Sequence, residues 1–235
     1  MIIIPFEANH LIYIGQMKGF GRKIEIAWHY TTATRLLPLI KTRALKPFCI
    51  GWDPRTQPVV WFTKAEFYEP MAYPSWADAN GIRRTMASEK EIADRSNGLL
   101  RVGVAADDAC MKPLRQWREQ REPGAQHAMD AMLNAAREQG SDPDQNWLVS
   151  FKPVSQKRWL HLQIAFPEDV DVQGVKTWSE WDLRAPYTKE LLKLDAEQRA
   201  SVACDEGESC LCCEPNQAWQ NNNSLVQNLE DMINR

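Results

Sequence analysis

Apolar residues, most of them β-branched or aromatic, dominate two short stretches in the first third of this chain, which predicts two β-strands. The first covers residues 24–31 and the second residues 58–63, and each ends in aromatic and hydroxyl side chains. Apolar residues at helical spacing predict a helix over residues 32–41, directly after the first strand. Because strand ends hold side chains rigidly around a shared opening, the two stretches favour a small-molecule cleft.

The rest of the chain continues with strand and helix patterns in no regular order. Strands are predicted over 99–105, 147–151, 158–166 and 174–183, and helices over 85–96, 111–121, 125–139 and 187–200. Residues 2–14 predict a further hairpin or an addition to the edge of the sheet. Because the strands are many and the helices interrupt them irregularly, we predict an α+β fold with mixed, largely antiparallel sheets.

Length and composition indicate one globular core with a small appendage. The chain has 235 residues, of which 44% are hydrophobic and 25% charged. We predict a domain over residues 1–200, followed by a Cys-rich link and a C-terminal amphipathic helix over residues 201–235, where the composition changes. The net charge of −3 does not support nucleic-acid binding through broad electrostatics, although it leaves room for a local basic patch.

Hydropathy leads us to expect a cytoplasmic protein without a membrane partner. No apolar run approaches the ~20 residues of a membrane span, and the first residues carry no basic leader. Six cysteines agree with this expectation, because four of them crowd together instead of spreading over the fold as a disulfide framework does.

The motifs and their order resemble those of the ADP-ribosyltransferase superfamily. The His-Tyr-Thr sequence at residues 29–31 is similar to the His-Gly-Ser/Thr motif of its poly(ADP-ribose) polymerase branch. The Val-Trp-Phe-Thr sequence at residues 60–63 is similar to that branch's Tyr-Phe-Ala strand. The resemblance covers residues 24–184 in short motifs. It implies an ADP-ribosyltransferase-like cleft with flanking helices that takes NAD as its substrate without a Rossmann fold.

The same resemblance implies roles for the residues of the first motif. The side chain of His29 is expected to hydrogen-bond the adenosine ribose, and the backbone of Tyr30 to hold the nicotinamide carboxamide. Tyr30 stands where the family has glycine, which leaves the backbone contacts available but argues against a close ring stack there. Considered alone, His29 also fits a packed, hydrogen-bonded histidine at a strand end.

The second motif and the segment after it are expected to surround the nicotinamide. Aromatic burial is the alternative explanation for these rings, and a solvated basic pair is the alternative for Arg83, which is expected to meet the pyrophosphate. The predicted NAD-binding residues are His29, Tyr30, Thr31, Trp61, Phe62, Thr63, Tyr68, Tyr73 and Arg83.

Cleavage at the nicotinamide-bearing carbon passes through an oxocarbenium-like state that a nearby carboxylate stabilises. The superfamily supplies this carboxylate from a late strand, where Glu180 is the best-placed candidate. Alternation would put Trp178 and Glu180 on one face and Trp181 on the other. An exposed edge residue is the alternative for Glu180. Gln163 is the rival for its position and would give a protein that binds NAD without turnover; the acidic pair at residues 168–169 is a third candidate.

Four cysteines offer soft metal ligands near the end of the chain: Cys204, Cys210, Cys212 and Cys213. Structural zinc sites use two separated pairs of ligands, and this cluster lacks the second pair. A reactive or incidental cysteine tail is therefore the favoured interpretation, with zinc as the alternative.

The resemblance therefore implies an NAD-dependent ADP-ribosyltransferase with Glu180 and His29 as its catalytic residues. It would release nicotinamide and transfer ADP-ribose to a protein or nucleic-acid acceptor. Many small bacterial or phage members of the family are toxins or effectors, and the resemblance extends that expectation to this chain. The alternative is a non-catalytic nucleotide- or protein-binding module on the same fold. The enzyme needs a carboxylate in the cleft opposite His29, and the binding module does not.

Overall fold

A computed structural model describes residues 24–48, 57–77, 82–119 and 123–201 of the protein. The predicted hairpin of residues 2–14, the cysteine cluster with its alternative zinc site, and the C-terminal amphipathic helix lie outside these residues.

The described residues form thirteen strands and six α-helices, and short 3-10 turns link several of them. In chain order the strands are β1 Ile26–Thr32, β2 Ala44–Leu45, β3 Val60–Thr63, β4 Ser75–Ala77, β5 Arg83–Thr85, β6 Leu99–Ala105, β7 Lys112–Pro113, β8 Trp147–Ser150, β9 Val154–Ser155, β10 Trp159–Ala165, β11 Val170–Asp171, β12 Gly174–Val175 and β13 Ser179–Glu180. The helices are α1 Leu36–Thr42, α2 Glu89–Ser96, α3 Leu114–Glu119, α4 Pro123–Glu138, α5 Pro143–Asn146 and α6 Pro186–Ser201.

Seven strands form the main sheet in the order β13-β10-β6-β1-β3-β8-β7. Each recorded pairing in this sheet is antiparallel. The predicted α+β class with largely antiparallel sheets is therefore confirmed. Side chains alternate between the two faces of a strand, so β6 defines the faces for the whole sheet. We call them the Arg101 face and the Val102 face.

The Val102 face carries the largest hydrophobic core. Leu100, Val102 and Val104 are fully buried on this face of β6, and α1 and α6 pack over them with Leu36 and Leu191. Fully burying a side chain of this size contributes about 1.5–3 kcal/mol relative to leaving it exposed. This face therefore supplies most of the hydrophobic stabilisation of the sheet.

Among the described residues, helices cover the Arg101 face towards its two sides. Over β8, α3 and α4 pack through Trp117 and Leu133 against Trp147. At the Leu99 end of β6, α2 packs through Ile92. The part of the face between these two clusters consists of the middle of β1, β6 and β10 together with β13, and the polar residues described below lie there.

Local signals explain where α2 begins and ends. The Ser88 side chain accepts a hydrogen bond from the Glu91 backbone N–H, as an N-cap does, and Asn97 ends the helix in the left-handed conformation. Gly98 follows with a φ of 120°, and a Cβ there would lie 2.5 Å from the Ala165 carbonyl oxygen. Only glycine fits this close approach between α2 and β10.

Three predicted elements have different bounds in the structure because short pairings replace their ends. The helix predicted over 85–96 begins at Glu89, since Arg83–Thr85 pairs with β4. The helix predicted over 111–121 begins at Leu114, since Lys112–Pro113 pairs with β8. The strand predicted over 174–183 is divided, because Gly174–Val175 turns back onto β11 and only Ser179–Glu180 joins the main sheet.

None of the helices in the described ranges has the length and apolar character needed to cross a membrane.

Two leucines of β10 allow a matched test of this burial pattern. Leu162 is 4% exposed on the Val102 face, whereas Leu160 is 48% exposed. We expect Leu162→Ala to lower the free energy of unfolding by about 2–5 kcal/mol, because it leaves a cavity in the core. Leu160→Ala should change it by about 0.5 kcal/mol or less. Urea unfolding followed by tryptophan fluorescence measures both, and equal losses would contradict the burial of Leu162 in the core.

Candidate functional site

Four polar side chains form a single row across the Arg101 face, between the two hydrophobic clusters. Tyr30 of β1 lies opposite Arg101 of β6, Arg101 opposite Gln163 of β10, and Gln163 opposite Glu180 of β13. Directly opposite residues in antiparallel strands place their side chains on the same face. The fold thus brings the late-strand carboxylate next to residues from three other strands.

Hydrogen bonds connect this row from one end to the other. Arg101 Nε donates to Gln163 Oε1 at 2.6 Å, and Gln163 Nε2 donates to Glu180 Oε1 at 2.6 Å. Arg101 Nη1 lies 3.5 Å from the Tyr30 hydroxyl, at the limit of a hydrogen bond. The amide of Gln163 therefore links a cation to a carboxylate, accepting from one and donating to the other.

His161, which lies two residues before Gln163 in β10, also binds the Glu180 carboxylate. Its Nδ1 lies 2.7 Å from Glu180 Oε1, with His161 donating. The side chain of Glu180 is 55% exposed and that of His161 is 38% exposed. Two donors therefore orient Glu180 through one oxygen, while the carboxylate remains accessible from solvent.

Two tryptophans enclose the guanidinium of Arg101. Its central carbon lies 4.0 Å from the ring centroid of Trp28 and 4.2 Å from that of Trp178. Gly103 makes room for the first ring, since a Cβ there would lie 2.8 Å from Trp28 Cζ3 and 3.2 Å from the Cβ of His161. Cation–π contact on both faces fixes Arg101 and ties Trp178, just before β13, to the middle of the sheet.

Three tyrosine rings continue the site towards α2. Tyr30 contacts Tyr68 at 5.2 Å between ring centroids, and Tyr68 contacts Tyr73 at 5.4 Å. Burial raises the pKa of Tyr30 to about 12 and that of Tyr73 to about 12, and it also raises the pKa of Tyr68. All three phenols are therefore neutral at physiological pH, and the Tyr30 hydroxyl donates to the Ala65 carbonyl oxygen at 3.2 Å.

Glu89 fastens this tyrosine segment to the hairpin of β11 and β12. Its two oxygens accept from the backbone N–H groups of Tyr68 and Val175, each at 3.1 Å. Burial raises the pKa of Glu89, while these two backbone donors and the charge of Arg101 oppose that rise. The hydrogen bonds assign Glu89 a structural role at the edge of the site.

The structure separates His29 from Glu180. His29 lies opposite Val102, and its ring contacts Phe62, which belongs to the core on the Val102 face. Its Nδ1 donates to the Trp61 carbonyl oxygen at 2.9 Å. The expectation that His29 and Glu180 line one cleft is not met, because adjacent residues of β1 point to opposite faces and only Tyr30 shares the face of Glu180.

The other residues predicted to bind NAD are divided in the same way. Thr31 and Phe62 alternate onto the Val102 face, while Trp61 and Thr63 lie on the Arg101 face beyond the polar row. Trp61 packs edge-on against Trp117, with 4.9 Å between the ring centroids, which supports aromatic burial as the explanation for Trp61.

Thr63 is also engaged within the protein, beside that aromatic cluster. Its hydroxyl donates to the buried carboxylate of Glu69 at 2.9 Å, and the Trp147 indole N–H donates to the same oxygen at 3.1 Å. Arg83 lies in β5, and the role predicted for its side chain stays a prediction.

Sequence reasoning missed Arg101 and Trp28, although alternation placed Trp178 on the face of Glu180. The sequence does contain an indication of Arg101, because this arginine interrupts an otherwise apolar strand. Alternation places it on the side of the strand that faces away from the core. Its partners come from distant segments, so the row emerges only once the register is known.

Comparisons with known proteins add no relative. No family model matches the chain, and searches of curated proteins and of solved structures found no match either. In the described part of the chain, no group of three or more His, Cys, Asp or Glu side chains is arranged to hold a metal ion.

The environment of His29 predicts a pH-dependent stability. Burial lowers the pKa of His29, although its hydrogen bond to the Trp61 carbonyl opposes this. Below pH 6.5 the unfolded chain binds a proton that folded His29 resists, so stability is complete above that pH and falls as the pH drops towards the folded pKa. One such group changes the free energy of unfolding by at most about 1.4 kcal/mol per pH unit.

We expect His29→Asn, which keeps an N–H donor but does not titrate, to lose less stability than the wild type between pH 7.5 and 5.5. Urea unfolding at the two pH values measures this difference. His161→Asn removes a solvent-accessible histidine and should retain the fall that His29 causes. An unchanged pH dependence in His29→Asn would contradict the burial of a neutral ring.

Proposed function

We propose that the protein is an ADP-ribosyltransferase that takes NAD as its substrate and uses Glu180 as its essential carboxylate. The observation that carries the proposal is the polar row, in which late-strand Glu180 shares a sheet face with Tyr30 of the His-Tyr-Thr motif. These two positions are far apart in the chain, and the family resemblance had already singled out both. The acceptor is a macromolecule, and a role as a toxin or effector is an extension of the resemblance.

The reaction requires the kind of carboxylate that Glu180 provides. The bond between ribose C1′ and the nicotinamide nitrogen breaks, and its electron pair leaves with nicotinamide. The sugar carries positive charge in the transition state, which an adjacent carboxylate stabilises. A nucleophile of the acceptor then bonds to C1′ and releases its proton to the carboxylate or to water. Glu180 is accessible enough for this task and is held in place by His161 and Gln163.

The surroundings of Glu180 suit a ligand with flat rings. Trp178 and Tyr30 are partly exposed along the same part of the sheet, whereas Trp28 is only 8% exposed there. Indole and phenol rings offer stacking surfaces for nicotinamide or adenine. His29 is not part of this proposal, because its ring is engaged with the Trp61 carbonyl and Phe62 on the other face.

A non-catalytic binding module is the second candidate. The guanidinium of Arg101 already occupies the space between Trp28 and Trp178. A flat ligand that entered this space would have to displace the Arg101 guanidinium, which is hydrogen-bonded to Gln163. This cost favours a preformed binding surface over a reactive cleft. On this hypothesis the chain binds a nucleotide or a protein and leaves it unchanged.

Replacement of one carboxylate separates the two candidates. We expect Glu180→Gln to lower the rate of nicotinamide release from NAD by at least about 100-fold, because the amide carries no charge to stabilise the sugar cation. Release is measured by chromatography after incubation of the purified protein with NAD, with and without a mixture of proteins and nucleic acids as acceptors.

Glu190→Gln is the matched control, since Glu190 is exposed on α6, away from the Arg101 face. This variant should release nicotinamide at the wild-type rate. Equal rates in wild type and Glu180→Gln would exclude Glu180 as the catalytic carboxylate. NAD binding by calorimetry, without release under any condition, would support the binding module.

A further inference from the structure

Basic side chains gather where β2 pairs with β9. Ala44 lies opposite Ser155 and Leu45 opposite Val154, and the Gln156 N–H donates to the Arg43 carbonyl oxygen at 2.8 Å. Leu45 and Val154 are buried in the core on the Val102 face. The pairing therefore presents the residues at both of its ends to solvent.

Four of these end residues are cationic: Arg43, Lys46, Lys152 and Lys157 are all exposed. Arg43 and Lys157 flank one end of the ladder, and Lys46 and Lys152 flank the other. Within the described residues none of the four forms an ion pair, whereas the neighbouring Arg158 pairs with Asp108. We call these four residues the β2–β9 basic patch.

The patch stands out against the charge of the whole protein. The chain has 28 basic and 31 acidic residues and a net charge of −3, so four cations that have no acidic partner among the described residues are a local excess. Exposed charges contribute little to the stability of a fold, and these four side chains are available to an anionic partner.

The backbone at Arg43 supports the same conclusion. Arg43 has φ 50° and ψ 30° at the end of α1, a left-handed conformation that glycine adopts without steric cost and that is unfavourable for residues with a Cβ. The position would thus suit glycine better for stability. An arginine held in this conformation is consistent with a side chain that serves a purpose other than folding.

An exposed aromatic ring lies beside the patch. Phe48 is 74% exposed, two residues after Lys46, and its backbone pairs with Val59. Cations next to an exposed ring form the combination that binds single-stranded nucleic acid, where the cations contact phosphates and the ring stacks on a base. The two ends of the ladder lie about 10 Å apart, at about 3.3 Å per residue, which spans several phosphates of one strand.

We propose that the β2–β9 basic patch, with Phe48, binds single-stranded nucleic acid. Arg43 supplies a two-pronged donor for phosphate oxygens, the three lysines supply point charges, and Phe48 supplies a stacking surface. The patch belongs to the side of the sheet opposite Glu180, so binding there is separate from the proposed chemistry on NAD. Its test stands whether or not the protein acts on NAD.

Salt dependence of binding measures the contribution of the cations. Fluorescence anisotropy with the full chain and a labelled 20-nucleotide thymidine strand gives the affinity at 50–200 mM KCl. Four phosphate contacts predict a slope of about −2.8 for log affinity against log salt, which is about a 50-fold loss over this range.

Arg43→Gly separates binding from folding. It removes one charge where glycine fits the backbone, so the thermal midpoint should be equal or higher, while the slope should become shallower by about 0.7. Phe48→Ala should weaken binding about 5-fold or more and leave the slope unchanged. Lys90→Ala is the control, because it removes one charge from α2, which packs on the other face of the sheet. It should change neither the affinity for the thymidine strand nor the salt slope.

Three results would overturn the proposal. One is the absence of binding at 50 mM KCl. Another is binding whose slope is the same in Arg43→Gly as in wild type, which would locate the contacts elsewhere. The third is equal binding of heparin and thymidine strands with no effect of Phe48→Ala, which would indicate a surface for any polyanion.

Discussion

Strand β6 pairs along its whole length with β1 and with most of β10, and this double ladder decides which side chains of the sheet share a face. A shift of one residue would move Val102 to solvent and turn Arg101 into the core, where an unpaired charge is costly. Gly103 reinforces the register, because only a residue without a side chain leaves room for Trp28. The hydrophobic core and the polar row are two consequences of one alignment.

Sequence patterns predict the strands well and their alignment poorly. The strand predicted over 99–105 has the observed bounds of β6, and the alternation around Glu180 correctly separates Trp178 from Trp181. These features depend only on neighbouring residues. The row from Tyr30 to Glu180 depends on pairings between four distant strands, which periodicity within a single strand does not encode.

His29 and Arg101 illustrate how residue type alone misleads. A histidine at a strand end attracts a functional interpretation, yet His29 is held by a backbone carbonyl and a phenylalanine in the core. An arginine within a strand is easily taken for a solvated edge residue, yet Arg101 is enclosed by two rings and bonded to Gln163. In both cases the surroundings from other strands decide what the residue does.

The energetics of the polar row also bear on its purpose. Exposed ion pairs contribute only about 0–1 kcal/mol to stability, and the carboxylate of Glu180 is more than half exposed. Ordering two donor side chains and an arginine costs conformational entropy, while the gain in folding free energy is small. Stability alone does not account for an accessible carboxylate held by two directed hydrogen bonds. Orientation of a charge towards something outside the protein does account for it, and this is why the row is the strongest candidate for the functional site.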